Sequence, residues 1–321
     1  MLKHKKVLIT GAAGFIGSSL TKILLEHSNF VILVDNFNDY YSGKEEKLNA
    51  ILKNYQRQKE YILIKENILN SKLYDKLDRN LDCIFHLAAQ PGVRYSIKHA
   101  SEVSNTNING TINLLEFAKN LDDLQRFVFA SSSSIYGNPI YTPCDEDHPK
   151  NPISPYAISK LAAEIYTNYY FKQFEIPITI LRFYTVYGPN GRPDMAIAKF
   201  FNHILQEEPI SIYGTGEQLR DFTYISDIIN GMILASEVKE AVGESFNLGY
   251  SNPISVNNLV DMIYDITNAQ KNVRYEEKRM GDVDITHSKI EKAKKILQYR
   301  PEINIQEGLN KYYAWLTENK G

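Results

Sequence analysis

Two side chains in this 321-residue chain are placed to move a proton: Tyr156 and Lys160, within Ser154-Pro155-Tyr156-Ala157-Ile158-Ser159-Lys160. On a helix, residues four apart share a face, so the lysine ammonium can sit beside the tyrosine phenol. A phenol that ionises near pH ~10 is a poor base at neutral pH. A neighbouring cation favours the phenolate and brings the phenol toward the working range. Upstream, Gly11, Gly14 and Gly17 stand at G-x-x-G-x-x-G spacing. Glycines there permit a tight turn and let backbone N–H groups approach a pyrophosphate at a helix N-terminus. A proton acceptor and a dinucleotide loop in one chain point to hydride chemistry at an alcohol carbon.

These groups work only if a scaffold positions them. Residues 7–10 read as a short buried strand, followed by the glycine loop and a helix over 18–27. A second strand over 30–34 ends at Asp35, and further buried strands are expected over 62–65, 83–88 and 127–131. Between them lie a polar surface helix within 41–60 and long packed helices over 105–119 and 156–173. That alternation predicts an α/β fold: a Rossmann-type, doubly wound parallel sheet covered on both faces. The dinucleotide-binding domain is expected over 1–180, including the Tyr-x-x-x-Lys helix. Residues 181–321 are expected to form mainly a smaller α/β substrate lobe, with some segments returning to the first domain. That half holds a turn-rich loop over 188–193, helices over 196–207 and 255–267, and an extended segment over 211–213.

Asp35 decides between cofactors. A carboxylate at the end of the second strand accepts hydrogen bonds from ribose hydroxyls and repels a 2′-phosphate, which favours NAD over NADP. The overall charge is close to balanced, with 36 basic and 38 acidic residues for a net charge of -2, so nothing calls for nucleic acid or an anionic membrane. Cys83 and Cys144 have no metal-pairing flanks and read as the reduced thiols of a cytoplasmic protein; no metal is expected. Met1-Leu-Lys-His-Lys-Lys6 runs straight into the first strand without the long apolar core of a signal peptide. No stretch approaches the ~20 apolar residues of a membrane span.

The order of glycine loop, serine run (Ala130-Ser-Ser-Ser-Ser-Ile-Tyr-Gly137) and Tyr-x-x-x-Lys resembles the extended short-chain dehydrogenases/reductases, the branch of NAD-dependent nucleotide-sugar epimerases and dehydratases. The resemblance runs from Val7 to about Leu297. It implies NAD contacts from Gly11, Gly14, Phe15, Ile16, Gly17, Asp35, Asn36, Ile68, Leu87, Ala88, Ala89, Asn107, Tyr156 and Lys160. Asn67 stands where the family often has an aspartate near the adenine. The resemblance makes Ser132 the hydroxyl that holds the reacting sugar oxygen and Tyr156 the group that removes or returns its proton. Lys160 then binds the nicotinamide ribose and biases Tyr156 toward phenolate. It also implies a homodimer built on the two long helices; the alternative is that both pack only within the protomer.

Two positions after the reacting-hydroxyl serine separate the reactions of this branch. Sugar 4,6-dehydratases resembling this chain carry acidic residues there, and glucuronate decarboxylases keep a glutamate at the later one. Here they are Ser133 and Ser134, which cannot do carboxylate acid/base work, so elimination is disfavoured and 4-epimerisation through a 4-keto sugar remains. The segments 182–195, 35–41 and 90–96 are similar to UDP-glucuronate 4-epimerases, with Asn190 and Tyr184 in place of the usual tryptophan and phenylalanine. Ser133, Thr185 and Arg192 are then the candidates for holding the C6 carboxylate, with Arg94 nearby. Tyr213 is expected near uracil, Arg220 on a phosphate, and Arg279 with Asp282 on phosphate and ribose. UDP-glucose/UDP-galactose or UDP-N-acetylhexosamine epimerisation is the near alternative. A non-catalytic NAD-binding regulator is the distant one, since such proteins usually lose the tyrosine or lysine that this chain keeps.

Overall fold

The computed structural model describes residues 2–279 and 281–318; of the expected second lobe, Met280 and residues 319–321 lie outside the described residues. Six strands, β1 (Lys6–Thr10), β2 (Phe30–Asp35), β3 (Tyr61–Lys65), β4 (Cys83–His86), β5 (Arg126–Ser132) and β6 (Ile178–Phe183), form a parallel sheet with a seventh, Ser245–Leu248. The order across the sheet is Ser245–Leu248, β6, β5, β4, β1, β2, β3. Chain direction therefore reverses its march between β1 and β4, and such a switch point opens a crevice at the carboxyl ends of the strands. The central strands are buried along their lengths, as their unbroken Val/Ile/Leu/Phe runs require of a sheet covered on both faces.

The β1–turn–helix unit begins the cofactor end. Gly11 has φ +74°, and a Cβ there would stand 2.7 Å from the backbone nitrogen of Ala88. A Cβ on Gly17 would meet the Gly11 carbonyl oxygen at 2.1 Å. Only glycine lets helix α1 (Phe15–Glu26) start this close to the ends of β1 and β4. The strand over 83–88 is shorter than expected: it stops at His86, whose ring is bonded to Thr10 and Thr111 on either side.

The expected helix over 105–119 is broken into a π-helical turn at Asn105–Asn109 and an α-helix at Gly110–Ala118. The wider turn points Asn107 inward, a register that a periodicity argument does not foresee. The helix Pro155–Phe174 is started by Ser154, whose hydroxyl accepts from the Ala157 N–H at 3.2 Å, and by a proline in its first turn. Its inner face buries Ala157, Lys160, Ala163, Glu164 and Thr167 against the sheet, while Ile158, Ile165, Tyr166 and Tyr169 stay exposed.

The division at residue 180 falls inside β6, and the second half sends Ser245–Leu248 back to the sheet edge. The rest of that half is built from short pairings. Thr185–Tyr187 lies along Phe222–Tyr224, Ile210–Tyr213 along Val273–Glu276, and Leu219–Arg220 against Ile254–Ser255. They pack with α1 and the sheet in one continuous apolar cluster. Among the described residues, no helix is long and apolar enough to cross a membrane, and no cluster of His, Cys, Asp or Glu could hold a metal ion.

Candidate active site

Two clefts open at the carboxyl ends of the strands. The first, of about 560 Å³, is lined by Gly11, Gly14 to Gly17, Asp35, Asn36, Ile68, Leu87, Ala88 and Ala89, and extends to Ser132, Tyr156 and Lys160. The second, of about 480 Å³, is lined by Arg94, Lys199, Tyr213, Arg220, Arg279 and Asp282. Ser133, Ser134, Thr185 and Arg192 line both, so the clefts meet beside the serine run. Each is of a size that takes a small organic ligand.

The first cleft fits a dinucleotide. Its floor is bare backbone at the glycines, with no room for a Cβ at Gly11 or Gly17, and it begins at the N-terminus of α1. Asp35 Oδ2 accepts from Ala13 N at 2.9 Å and Oδ1 from Phe37 N at 2.8 Å, which aims the carboxylate while leaving lone pairs for hydroxyls. Burial raises its pKa, and these N–H groups with the Lys44 charge act against that rise. Asn67 lines the cleft with its amide oxygen already accepting from Leu69 N at 2.9 Å. Asn107, expected on the cofactor, does not line the cleft. It is buried beneath, where Oδ1 accepts from Gln90 N at 2.7 Å and Nδ2 donates to Ser159 Oγ at 2.9 Å. It steadies the loop after β4 and ties that loop to the Tyr156 helix.

At the reacting end, Ser132 closes β5 and its hydroxyl accepts from Ser134 N at 3.2 Å. Burial raises the pKa of Tyr156, while a hydrogen bond with Ser132 and the charge of Arg192 pull it back. The Lys160 ammonium lies 4.6 Å from the centre of the Phe129 ring, and burial pushes its pKa down to about 8 against the opposing charge of Glu164. Glu164, one turn further along the helix, is itself buried and accepts two hydrogen bonds from Arg182 (Nε–Oε1 3.1 Å, Nη2–Oε2 3.0 Å) and one from Ser131. This pair pins the helix to β5 and β6.

The second cleft gathers cations, and its arginines are already engaged. Arg192 forms a two-pronged bond with Asp194 (Nε–Oδ1 2.9 Å, Nη2–Oδ2 2.7 Å), and Tyr40 donates to the same carboxylate at 3.1 Å. The guanidinium expected to wait for a sugar carboxylate thus has a resident partner, which uses two of its five donors. Arg220 is anchored through backbone carbonyls of Leu219 (2.8 Å) and Val283 (2.7 Å). Arg94 pairs with Asp282 at 3.3 Å. Tyr213, expected near uracil, has Arg279 against its ring, 3.0 Å from the centroid. Asp194, Tyr40 and Lys199 went unassigned in the sequence. An Arg-x-Asp spacing at 192–194 was the one local signal for the first.

The model of the GDP-mannose 4,6-dehydratase family matches residues 8–312. The chain belongs to this family. As a member it is 39% identical to a UDP-glucuronate 4-epimerase of Thermodesulfobacterium geofontis, an alignment covering 97% of this chain and 96% of that protein. Its fold is similar to the crystal structure of a UDP-glucuronic acid 4-epimerase from Bacillus cereus in complex with UDP-glucuronic acid and NAD, with a TM-score of 0.90, 36% identity and coverage of 98% and 99%. It is equally similar in fold to a UDP-glucose 4-epimerase from Thermotoga maritima with UDP-glucose: TM-score 0.90, 31% identity, coverage of 98% and 100%.

Proposed function

We propose that this chain is an NAD-dependent UDP-sugar 4-epimerase and that its sugar is glucuronate, interconverted with galacturonate. The observation that carries the reading is the meeting of the clefts. Tyr156, which lines the glycine-floored cleft together with Ser132, adjoins a second cleft that collects arginines for a diphosphate. Both curated and structural relatives act on UDP-glucuronate, while a structural relative of the same fold acts on UDP-glucose. Arg192 between the clefts supports the charged sugar, since three of its guanidinium donors remain beyond the two that Asp194 engages.

Nicotinamide, when bound, supplies a hydride acceptor at the C4 carbon and a donor to its opposite face. The chain's own residues do the rest. Ser132 positions the C4 hydroxyl, and Tyr156 removes its proton so that the carbon gives up hydride readily. Tyr156 then returns the proton to the new alcohol. Lys160 holds the nicotinamide ribose and keeps a positive charge beneath the site. Arg220, Arg279 and Arg94 anchor the diphosphate, so the 4-keto sugar can turn while the nucleotide stays. Ser133 and Ser134 offer no carboxylate for elimination, which separates this chain from a dehydratase despite its family.

A 4-ketone is β to the C6 carboxylate, and such an acid loses carbon dioxide when the C5–C6 bond aligns with the carbonyl π system. Ser133, Thr185 and Arg192 hold the carboxylate out of that alignment. The exposed apolar row Ile158, Ile165, Tyr166 and Tyr169 on the Pro155–Phe174 helix supports a homodimer through this face. Incubating purified protein with UDP-glucuronate and, separately, UDP-glucose tests the sugar: galacturonate product is expected, and turnover of the uncharged sugar alone rejects glucuronate.

A further inference from the structure

Two buried donors that line the first cleft have no acceptor among the described residues, the Tyr184 hydroxyl and the Gln90 amide, and the second has its direction fixed. Gln90 is almost wholly buried, lines this cleft and not the second, and its side-chain Nε2 has no hydrogen-bond partner among the described residues. A buried amide N–H left without a partner is costly, so such a group calls for an explanation.

The direction of this donor is set by a chain of bonds that begins at a lysine. The Lys44 ammonium donates to Asn38 Oδ1. An ammonium has three donors and no acceptor, so it admits only the oxygen of the Asn38 amide. The backbone N–H of Tyr40, also a pure donor, meets the same oxygen at 3.3 Å. Asn38 must therefore turn Nδ2 the other way, and there it donates to Gln90 Oε1 at 3.0 Å. With its oxygen held by Asn38, Gln90 can only direct its NH2 away from that amide. The backbone of Gln90 is immobilised as well: its N–H is bound by Asn107 Oδ1 at 2.7 Å and its carbonyl accepts from Asn107 Nδ2 at 3.2 Å. Both amide orientations follow from the donor-only end groups rather than from the resemblance of nitrogen and oxygen in shape.

We propose that Gln90 is a cofactor-contacting residue whose Nε2 donates to a phosphate or ribose oxygen of the bound dinucleotide, and that Lys44 is a positioning residue that aims this donor through Asn38. The inference rests on the reading of the first cleft as the dinucleotide site. It adds a retention device suited to an enzyme whose cofactor is regenerated at each turnover and has no need to leave.

The test uses full-length protein stripped of nucleotide and titrated with NAD by calorimetry. Gln90→Glu keeps the shape and the acceptor facing Asn38 and loses the donor; it weakens NAD binding by about tenfold, with the thermal midpoint of the stripped protein little changed. Lys44→Gln also weakens binding, but less in a Gln90→Met background than alone, because the lysine acts through the amide it aims. Additive losses overturn the role of Lys44. Should the Gln90 variants not fold, a crystal structure of the unaltered protein with NAD decides: Nε2 within about 3.2 Å of a dinucleotide oxygen supports the proposal, and a water alone in that place overturns it. Unaltered protein that binds no NAD defeats the dinucleotide reading itself; NAD bound equally by wild type and Gln90→Glu defeats only the role of Gln90.

Discussion

The two clefts are built from different materials. The first centres on backbone: three glycines, the N-terminus of α1 and the loop at Leu87 to Ala89, joined by side chains such as Asp35 and Gln90 whose directions are fixed by hydrogen bonds. The second draws its charged side chains from both halves of the chain, and its arginines are already bound to Asp194, to Asp282, to backbone carbonyls or against Tyr213. A side-chain cradle can be retuned by exchanging one partner, as a backbone cradle cannot.

The contrast predicts separable failures. Tyr156→Phe, at the junction, should lower kcat by ~10²–10⁴-fold while leaving NAD and UDP-sugar affinities nearly intact, because it removes only the proton acceptor; rate and binding measured on the same preparation check this. Arg192→Gln should cost ~10–100-fold in kcat/KM for UDP-glucuronate, the loss of hydrogen bonds to a charged group, with little change in NAD content. Gly11→Ala should do the reverse. Its Cβ would collide with Ala88 at a φ of +74°, a strain of about 1–3 kcal/mol, so the purified protein should carry little NAD yet still bind UDP in calorimetry. Thr185→Val should raise the pentose by-product of decarboxylation by ~2–10-fold, the worth of one hydrogen bond; an unchanged product ratio removes Thr185 from carboxylate holding.

The smallest effect concerns the scaffold beneath both clefts. Burial pushes the His86 pKa down from 6.5 to about 3, so the folded chain leaves it neutral where the unfolded chain takes up a proton. Stability should therefore fall as pH drops from 6.5 toward 3, with this one group contributing a slope of up to ~1.4 kcal/mol per pH unit. Urea unfolding of His86→Gln at several pH values should show that slope reduced by one proton's worth.

Much of the first cleft was legible in the sequence because its signals are local. A Val-Leu-Ile-Thr run, glycines three apart and an aspartate closing the next strand all lie within 30 residues of each other. Tyr156 and Lys160 were equally readable, since helical spacing and the Ser154-Pro155 start set their shared face. What sequence reasoning missed lies in contacts that no spacing encodes. Arg94 meets Asp282 across 188 positions and Asn38 meets Gln90 across 52. The π-turn that turns Asn107 under the loop leaves no periodic trace, so its bonds to Gln90 and Ser159 were not legible. The partners of the arginines are likewise a matter of tertiary placement.

The central claim is that hydride leaves and returns to the same sugar carbon while Tyr156 handles the proton. UDP-glucuronate carrying deuterium at C4 tests it most directly. UDP-galacturonate should keep the label at C4 and pass none to solvent; loss of the C4 label to water would rule out direct hydride return.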